Sequence, residues 1–454
     1  MSDTKNIVPQ GPTGYPLIGN LLNLASSQRL VWLQGLVDKY GDVSKFKLLK
    51  REVYLINHPD LVRELLVQKI DNYTKKTVAF SIVKKVLGKS TFTAIGDVWK
   101  RKRKLVQPSF HKKRISNLGE IMTDAIEDML NDWELVCDKK GTVEVTDAMM
   151  RLTLTVVVKA LFSTALSKKE VQTVADVFTP LLDETNFRAG FPIRILHKFR
   201  AKKNAAYEKN IADLDEIIFR IIRERRTSTA PHNDLLQMLM EAQDEETSEF
   251  LSDEELRDEV MTVFIAGHET TANAMSWLWA ILSQQPDIRK KVEQEVAEVL
   301  GDKKPTAADF PNLSYSLKVF KETLRLYPPV PILPRRVEAD DVLGGYKING
   351  GGEVFFSAYL LHRHPDFWEN PEVFDPHRFE RETERKQHPF AYLPFGGGPR
   401  ICLGNSFAMM EAVFIVAMTT QRFRLNLVSD EPIEPLISLT TRPKGGVEVM
   451  LERR

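Results

Sequence analysis

The chain has 454 residues, of which 43% are hydrophobic and 28% are charged, a composition typical of globular proteins with a large core. Its 63 basic and 62 acidic side chains leave a net charge of +1, so we expect no general attraction to nucleic acid. The two cysteines, Cys137 and Cys402, lie far apart in the sequence, which argues against a disulfide framework and fits a reducing compartment.

The N-terminal residues are polar and lack the basic start and apolar stretch of a signal peptide. No window of the sequence approaches the run of about 18 consecutive apolar residues that a transmembrane helix needs. We therefore expect a cytoplasmic protein without a membrane anchor.

The predicted elements begin with an irregular entry segment over residues 1–20, which is rich in proline and glycine from position 9. Residues 42–57 predict a pair of strands with a tight turn, and residues 59–330 are mostly helical. The clearest helix starts at a capping box on Ser252 and continues to about Leu282. The rest of the chain predicts helices at about 286–300, 312–327 and from Asn405, with short strands within 335–358.

The irregular stretch at residues 363–401 contains many proline, glycine and charged residues. A segment of this length without periodicity is usually functional or disordered, and its aromatic side chains favour an ordered segment. Because no linker or internal repeat interrupts the chain, we predict a single domain over residues 1–454, mainly α with small β-sheets.

Cys402 lies in a glycine-rich segment, Phe395-Gly-Gly-Gly-Pro-Arg-Ile-Cys-Leu-Gly404, just before a predicted helix. Backbone N–H groups and the helix dipole at that position stabilise a thiolate, and a thiolate can bind haem iron. Two other interpretations are a small buried side chain and a phosphate-binding loop, although the Lys-Ser/Thr pair of a phosphate loop is missing.

This segment resembles the haem-binding signature of the cytochrome P-450 family, F-x-x-G-x-R-x-C-x-G. Every fixed position matches, at Phe395, Gly398, Arg400, Cys402 and Gly404. The resemblance implies the fold of that family, with a haem b group between a long central helix and the loop that carries Cys402. It also implies that Cys402 is the axial ligand of the iron and that Arg400 pairs with a haem propionate.

A second motif, Ala266-Gly-His-Glu-Thr-Thr271, interrupts the apolar centre of the helix that follows Ser252. Glycine and threonine are poor helix formers. A structural interpretation explains the motif equally well: the glycine serves helix packing, and the Thr hydroxyls bond to their own backbone. The segment resembles the family's A-G-x-D/E-T-S/T oxygen-activation motif. The resemblance implies that Ala266 and Gly267 lie against the cofactor and that Glu269 and Thr270 deliver protons.

Glu322 and Arg325 are neighbours on one helical face, and most such pairs are surface salt bridges of little energetic value. The family has an E-x-x-R pair joined by a later arginine, which resembles Arg378 in Pro376-His-Arg378-Phe379. The resemblance implies a structural network of these three residues.

Three further side chains are assigned to the haem propionates by resemblance. Trp99 and Arg103 match the family's W-x-x-x-R segment, and Arg336, which follows a second arginine at position 335, matches a later propionate arginine. The basic stretch Lys100–Lys104 is predicted to dock an acidic electron carrier, although a run of charges is usually only a solvated face.

The implied activity is a stand-alone monooxygenase that uses O2 and a separate ferredoxin or flavodoxin with its reductase. We expect a monomer and a small lipophilic substrate, with a fatty acid first and a terpenoid or steroid next. A peroxide-driven peroxygenase or haem-thiolate isomerase is the alternative, and a non-enzymatic haem sensor is a third. The predicted pocket includes variable segments at 72–95, about 171–200 and 330–334, with side chains from Phe92, Val330, Ile332, Leu333 and Thr440.

Overall fold

Helices make up most of the protein in a computed structural model that describes residues 7–163, 168–190, 200–230 and 232–454. The α-helices of this part are α1 Leu21–Ala25, α2 Arg29–Tyr40, α3 Pro59–Arg63, α4 Val78–Leu87, α5 Gly96–Val106, α6 Lys112–Ser116, α7 Gly119–Asp138, α8 Val145–Phe162, α9 Lys168–Gly190, α10 Ala201–Thr227, α11 Leu235–Met240, α12 Asp253–Gln284, α13 Pro286–Val299, α14 Ser314–Leu326, α15 Ala358–Leu361, α16 Arg381–Lys386 and α17 Asn405–Arg422. The strands are β1 Val43–Leu48, β2 Arg51–Ile56, β3 Tyr73–Thr74, β4 Thr142–Glu144, β5 Ile332–Val337, β6 Asp341–Leu343, β7 Tyr346–Ile348, β8 Glu353–Ser357, β9 Phe423–Leu427, β10 Pro435–Ile437, β11 Thr441–Pro443 and β12 Glu448–Arg453.

The longest helix, α12, runs through the core and packs along α8. Its predicted capping box is confirmed, because the Ser252 hydroxyl accepts from the Glu255 N–H and the Glu255 carboxylate accepts from the Ser252 N–H, both at 3.2 Å. These two bonds satisfy backbone donors that would otherwise be unpaired at the helix start. The helix is two residues longer than predicted, because it ends at Gln284.

The predicted strand pair is confirmed as β1 and β2, which are antiparallel and joined by a tight turn at Leu49. They form one edge of a five-stranded sheet with the order β1-β2-β8-β5-β3, in which only the β2–β8 pair is parallel. The other sheets are β4-β12-β9 and the two hairpins β6-β7 and β10-β11. The short strands predicted at 335–358 are β5 to β8.

The predicted helices before Gly301, before Pro328 and after Gly404 are confirmed as α13, α14 and α17. The irregular stretch at 363–401 is ordered, as its aromatic content predicts. Its centre is a small cluster in which Trp368 and Phe379 are buried, and the Trp368 indole donates to the Leu361 carbonyl at 3.1 Å.

No helix in the described part of the chain has the length and apolar character needed to cross a lipid bilayer.

Candidate active site around Cys402

The loop that carries Cys402 is a tight turn tied to its own backbone. The Cys402 N–H donates to the Phe395 carbonyl at 3.0 Å, and the Ile401 N–H donates to the Gly398 carbonyl at 3.1 Å. Gly398 has a φ of +66°, and a Cβ atom there would lie 2.7 Å from the Leu66 carbonyl oxygen. Only glycine fits this conformation and this close approach. Gly398 therefore allows the tight turn that places Cys402 just before α17.

We infer from two observations that the Cys402 thiol borders open space inside the fold, which we call the chamber. It lies deep among protein atoms, yet its side chain keeps accessible surface. Burial raises the pKa of the thiol, whereas the Gly404 backbone N–H and the nearby Arg103 and Lys75 act in the opposite direction. Burial is the larger effect, so the pKa of the thiol lies above its usual value, and the loop and the two cations offset part of this shift.

Four cationic side chains, which we call the cation cluster, surround this chamber: Lys75, Arg103, Arg335 and Arg400. Burial and mutual repulsion lower the pKa of Lys75 well below its usual value and lower that of Arg400 to about 9. Burial alone lowers the pKa of Arg335 to about 10. Within the described residues, the protein partners of the four cations are neutral groups, so the cluster is suited to an added ligand with negative charges.

The cation cluster is held by neutral contacts. Arg400 Nη1 donates to the Ala94 carbonyl at 2.8 Å, and its Cζ lies 3.8 Å from the centre of the Trp99 ring. Arg103 Nη1 donates to the Ile401 carbonyl at 2.8 Å. The structure thus brings together Trp99, Arg103 and Arg400, which the family resemblance assigned to the haem propionates.

The structure places Arg335, and not Arg336, in the cation cluster. Consecutive residues of a strand point to opposite faces of the sheet, and Arg336 of β5 pairs in register with Glu353 of β8. Arg336 also lowers the pKa of Glu338. The predicted propionate role of Arg336 is therefore not supported by its position, and Arg335 is the better candidate.

Sequence reasoning missed Lys75. Its Nζ donates to the Phe92 carbonyl at 2.8 Å and lies 4.3 Å from the centre of the Phe92 ring. No local motif marks this lysine, since it reaches the site only through the pairing of β3 with β5.

The middle of α12 exposes one face although the helix crosses the core. Ala266 is exposed and Thr270 is half-buried, whereas His268 and Glu269 beside them are buried. The Thr270 hydroxyl donates to the Ala266 carbonyl at 2.5 Å, the bond to the preceding turn that is common for threonine in a helix. Ala266 and Thr270 therefore keep accessible surface on one face of α12, and the place of Ala266 beside a cofactor and the role of Thr270 in proton delivery stay predictions.

Gly267 has a packing role in this structure. A Cβ atom there would lie 2.8 Å from Val157 Cγ2 of α8. The predicted close approach at Gly267 is present, but the approaching group is a neighbouring helix.

Glu269 is buried on the side of α12 that faces α9 and β11. The Thr440 hydroxyl donates to Glu269 Oε1 at 2.6 Å, and Asn186 Nδ2 donates to the same oxygen at 3.5 Å. Burial raises the pKa of Glu269, and the two hydrogen bonds oppose this effect. The carboxyl group thus keeps its proton to a higher pH than a solvated glutamate. Thr440, which stays a predicted pocket residue, binds this acid.

The predicted network of Glu322, Arg325 and Arg378 is present, and we call it the salt network. Arg325 makes a two-pronged bond to Glu322, with Nε to Oε2 at 2.7 Å and Nη2 to Oε1 at 2.8 Å. Arg378 Nε lies 3.4 Å from Glu322 Oε1. Glu322 and Arg325 are fully buried, so the two charges balance each other where water cannot reach them.

The salt network also organises the irregular segment. Arg325 Nη1 donates to the carbonyls of His362 at 2.9 Å and Pro371 at 2.6 Å, and Nη2 donates to that of Val373 at 3.0 Å. Burial lowers the pKa of His362 to about 3, so its neutral ring accepts from the Leu393 N–H at 2.8 Å. These bonds connect α14 to the chain that leads to Cys402.

A second buried acid, Glu411, was not found from the sequence. It is fully buried in α17 beside Thr271, and burial raises its pKa to about 8. Nearby on α12, both polar side-chain atoms of Asn273 are buried without a protein partner in the described residues. The available signal was that Glu411 is the one acid of its helix and lies within the apolar run from Phe407 to Met418.

The predicted pocket residues lie in two places. Phe92 is 39% exposed and its ring lies 5.5 Å from that of Phe80. Val330 is half-buried before β5, whereas Ile332 and Leu333 alternate within β5 and pack against separate apolar clusters. The part of the predicted segment 171–200 that covers residues 191–199 lies outside the described residues.

The chain was compared with known proteins. The family model for cytochrome P-450 matches residues 9–449. Cyclooctatin synthase of Streptomyces melanosporofaciens is 35% identical over 436 residues, which cover 95% of this chain and 93% of that protein. Cyclooctat-9-en-7-ol 5-monooxygenase of the same organism is 32% identical and covers 92% of this chain and 89% of its own length.

Solved structures agree with these matches. The crystal structure of the haem domain of cytochrome P-450DA superposes with a TM-score of 0.89 at 28% identity, covering 98% of each chain.

Proposed function

The chain belongs to the cytochrome P-450 family and is a haem-thiolate monooxygenase, and we propose that Cys402 is its iron ligand and that the cation cluster binds the haem carboxylates. The observation that carries this assignment is the thiol in an internal chamber beside four cations with neutral protein partners. The thiol fits a ligand of a porphyrin iron, and the cation cluster fits two propionate groups. Haem b has both an iron and two propionates. We propose one haem domain over residues 1–454, acting as a monomer.

When bound, haem supplies the redox chemistry that activates O2 for insertion into a C–H bond. The protein residues supply position and protons. Glu269 holds a proton on its carboxyl group within hydrogen bonds from Thr440 and Asn186. Thr270 Oγ1 lies one residue further along the helix and faces the internal space, so we propose that it receives this proton through water and passes it on.

We propose a lipophilic terpenoid as the substrate, and a fatty acid as the second candidate. The named substrate of one relative is cyclooctat-9-en-7-ol, and another relative is named for cyclooctatin. An aromatic wall formed by Phe92 and Phe80 is suited to an apolar, cyclic molecule. The expectation of a fatty acid rested on the apolar side chains of the pocket alone, which do not distinguish the two classes.

We propose that electrons come from a separate ferredoxin or flavodoxin. Within the predicted basic stretch, Lys100 pairs with Asp97 at 3.3 Å and Lys104 pairs with Glu246 at 3.2 Å, while Lys102 is buried. Internal pairing weakens the predicted attraction of this stretch for an acidic carrier. The exposed cations of α6, Lys112, Lys113 and Arg114, pack next to α17 and are the better docking surface.

Two measurements on the haem-loaded protein test this function. A spectral binding screen with terpenoids and fatty acids of matched size should give micromolar shifts for a cyclic terpenoid, whereas tight binding of fatty acids alone would reverse the order of the two candidates. Turnover with reduced ferredoxin and O2 should exceed turnover with peroxide alone. Product from peroxide without an electron donor would instead favour the peroxygenase alternative.

A further inference from the structure

The connection between α4 and α5, residues 88–95, is bound to α12 by a buried carboxyl group. Glu259 Oε1 accepts from the Thr91 N–H at 2.7 Å and from the Thr91 hydroxyl at 3.0 Å. Glu259 and Thr91 are both buried. Lys102 Nζ of α5 lies 3.9 Å from the same oxygen, on a side chain that is 2% exposed. The acid thus contacts both the connection and the helix that follows it.

The two residues before Glu259 bind the start of the same connection and the last turn of α4. Asp258 Oδ2 accepts from the Lys89 N–H at 2.7 Å, and Arg257 Nη1 donates to the Val86 carbonyl at 2.7 Å. Gly88 approaches so closely that a Cβ atom would lie within 2.2 Å of the Asp258 carboxylate oxygens. Three consecutive side chains of α12 therefore bind three backbone positions within a span of six residues.

The far end of the connection belongs to the active site. The Phe92 carbonyl accepts from Lys75 and the Ala94 carbonyl accepts from Arg400, each at 2.8 Å. The Phe92 ring forms part of the predicted substrate wall. The connection therefore joins α12 to two members of the cation cluster and to one wall of the chamber.

We infer that Glu259 is a positioning residue that fixes residues 88–95 through Thr91, and thereby the place of Phe92 in the substrate wall. This inference deepens the proposed function and rests on it for the meaning of the wall. The carboxyl lies behind the connection and not in the chamber, so its role is separate from that of Glu269 and Thr270.

The protonation of Glu259 sharpens the inference. Burial raises the pKa of Glu259 to about 7, although Lys102 and Thr91 oppose the shift and Asp258 adds to it; Glu255, also near Lys102, shares that cation. When the connection opens and the acid is hydrated, its pKa returns toward about 4.3. Because the pKa is higher in the bound state, protonation of Glu259 stabilises the bound connection at low pH. This stabilisation is lost as pH rises through about 7.

Hydrogen–deuterium exchange of the haem-loaded protein tests the inference without substrate or electron donor, so its result is independent of whether the proposed function holds. In Glu259→Ala, we expect the exchange of amides 88–93, corrected for the intrinsic rate, to rise at least tenfold at pH 6. In wild type, the corrected exchange should rise between pH 6 and pH 8. Glu259→Gln keeps a neutral acceptor, so its exchange should stay low and independent of pH.

Two further variants complete the test. Glu254→Ala removes an exposed acid of the same helix and should leave amides 88–93 unchanged. Thr91→Val keeps the N–H and loses the hydroxyl, so it should give a smaller rise even if Glu259→Ala does not fold. Exchange of 88–93 in Glu259→Ala and Thr91→Val equal to that of Glu254→Ala would overturn the inference, as would a pH dependence that persists in Glu259→Gln.

Discussion

Among the charged side chains of the described residues, the salt network and the cation cluster differ in how their charges are balanced. In the salt network, Glu322 is bound by Arg325 at 2.7 Å and approached by Arg378 at 3.4 Å. In the cation cluster, four cations lie together with neutral protein partners, and their pKa values are lowered. A balanced cluster stabilises the chain that contains it, whereas an unbalanced cluster costs stability until a ligand of opposite charge binds. On the proposed function, the balanced charges serve the fold and the unbalanced charges bind the cofactor.

The largest effect is expected at Cys402, the proposed iron ligand, which lies beside the unbalanced cluster. In Cys402→His, the reduced carbon monoxide complex should lose the red-shifted Soret band of thiolate ligation completely. Cys137→Ser is the control and should keep that band, because Cys137 lies outside the site with its Sγ 3.5 Å from the Leu451 carbonyl. Persistence of the band in Cys402→His would remove Cys402 from the assignment and with it the purpose given to the cation cluster.

Breaking the balanced cluster should cost most of the stability of the fold. In Arg325→Gln, Glu322 keeps only the longer contact with Arg378 at 3.4 Å and three carbonyls lose their donor, so we expect the free energy of unfolding in urea to fall by about 3–5 kcal/mol. The double variant with Glu322→Gln should recover part of this loss. A loss below about 1 kcal/mol, the value of an exposed pair, would show that the salt network does not stabilise the irregular segment.

Glu411 extends the comparison to a third case, a buried carboxyl group that avoids an unbalanced charge because it stays protonated. Its pKa is about 8 in the folded protein and about 4.3 in an unfolded chain. The stability of wild type relative to Glu411→Gln should therefore be greatest below pH 4 and decline by up to about 1.4 kcal/mol per pH unit as pH rises toward 8. Thermal unfolding from pH 5 to pH 9 measures this decline, and parallel profiles for the two proteins would mean that Glu411 is ionised.

Removing one cation from the unbalanced cluster should have the opposite sign from removing Arg325. In Arg335→Gln, repulsion within the cluster is relieved, so the haem-free chain should unfold at the same or a higher urea concentration. Haem affinity, measured by transfer to an acceptor protein, should fall about tenfold because a charged hydrogen bond is lost. Arg336→Gln should leave haem affinity unchanged, and the reverse result would restore the assignment made from the sequence.

The smallest effect on folding is expected at Thr270, which carries no charge. Thr270→Ala should keep haem content and change the free energy of unfolding by less than about 1 kcal/mol. Its effect should appear in coupling, because protons then reach the chamber without a positioned hydroxyl. Product per electron should fall and hydrogen peroxide should rise, while consumption of reduced donor continues. Unchanged coupling would make Thr270 a packing residue.

The sequence predicted the parts of the site that depend on neighbouring residues. Cys402 and its glycines, the motif around Thr270 and the pair of Glu322 with Arg325 are each defined within ten residues of chain. Lys75 and Glu411 were missed because their roles arise from strand pairing and from helix packing. The choice between Arg335 and Arg336 depends on which face of β5 meets the chamber, and β5 carries apolar or half-buried residues on both faces.

The three carbonyls bound by Arg325 have a consequence for the order in which the chain folds. They lie 37, 46 and 48 residues after it in the sequence, so these bonds close long loops at a considerable entropic cost. The irregular segment has little regular structure to form by itself, and we expect it to become ordered only once α14 is in place. During synthesis, the Cys402 loop would then acquire its shape after most of the chain has left the ribosome, which makes haem capture a late event.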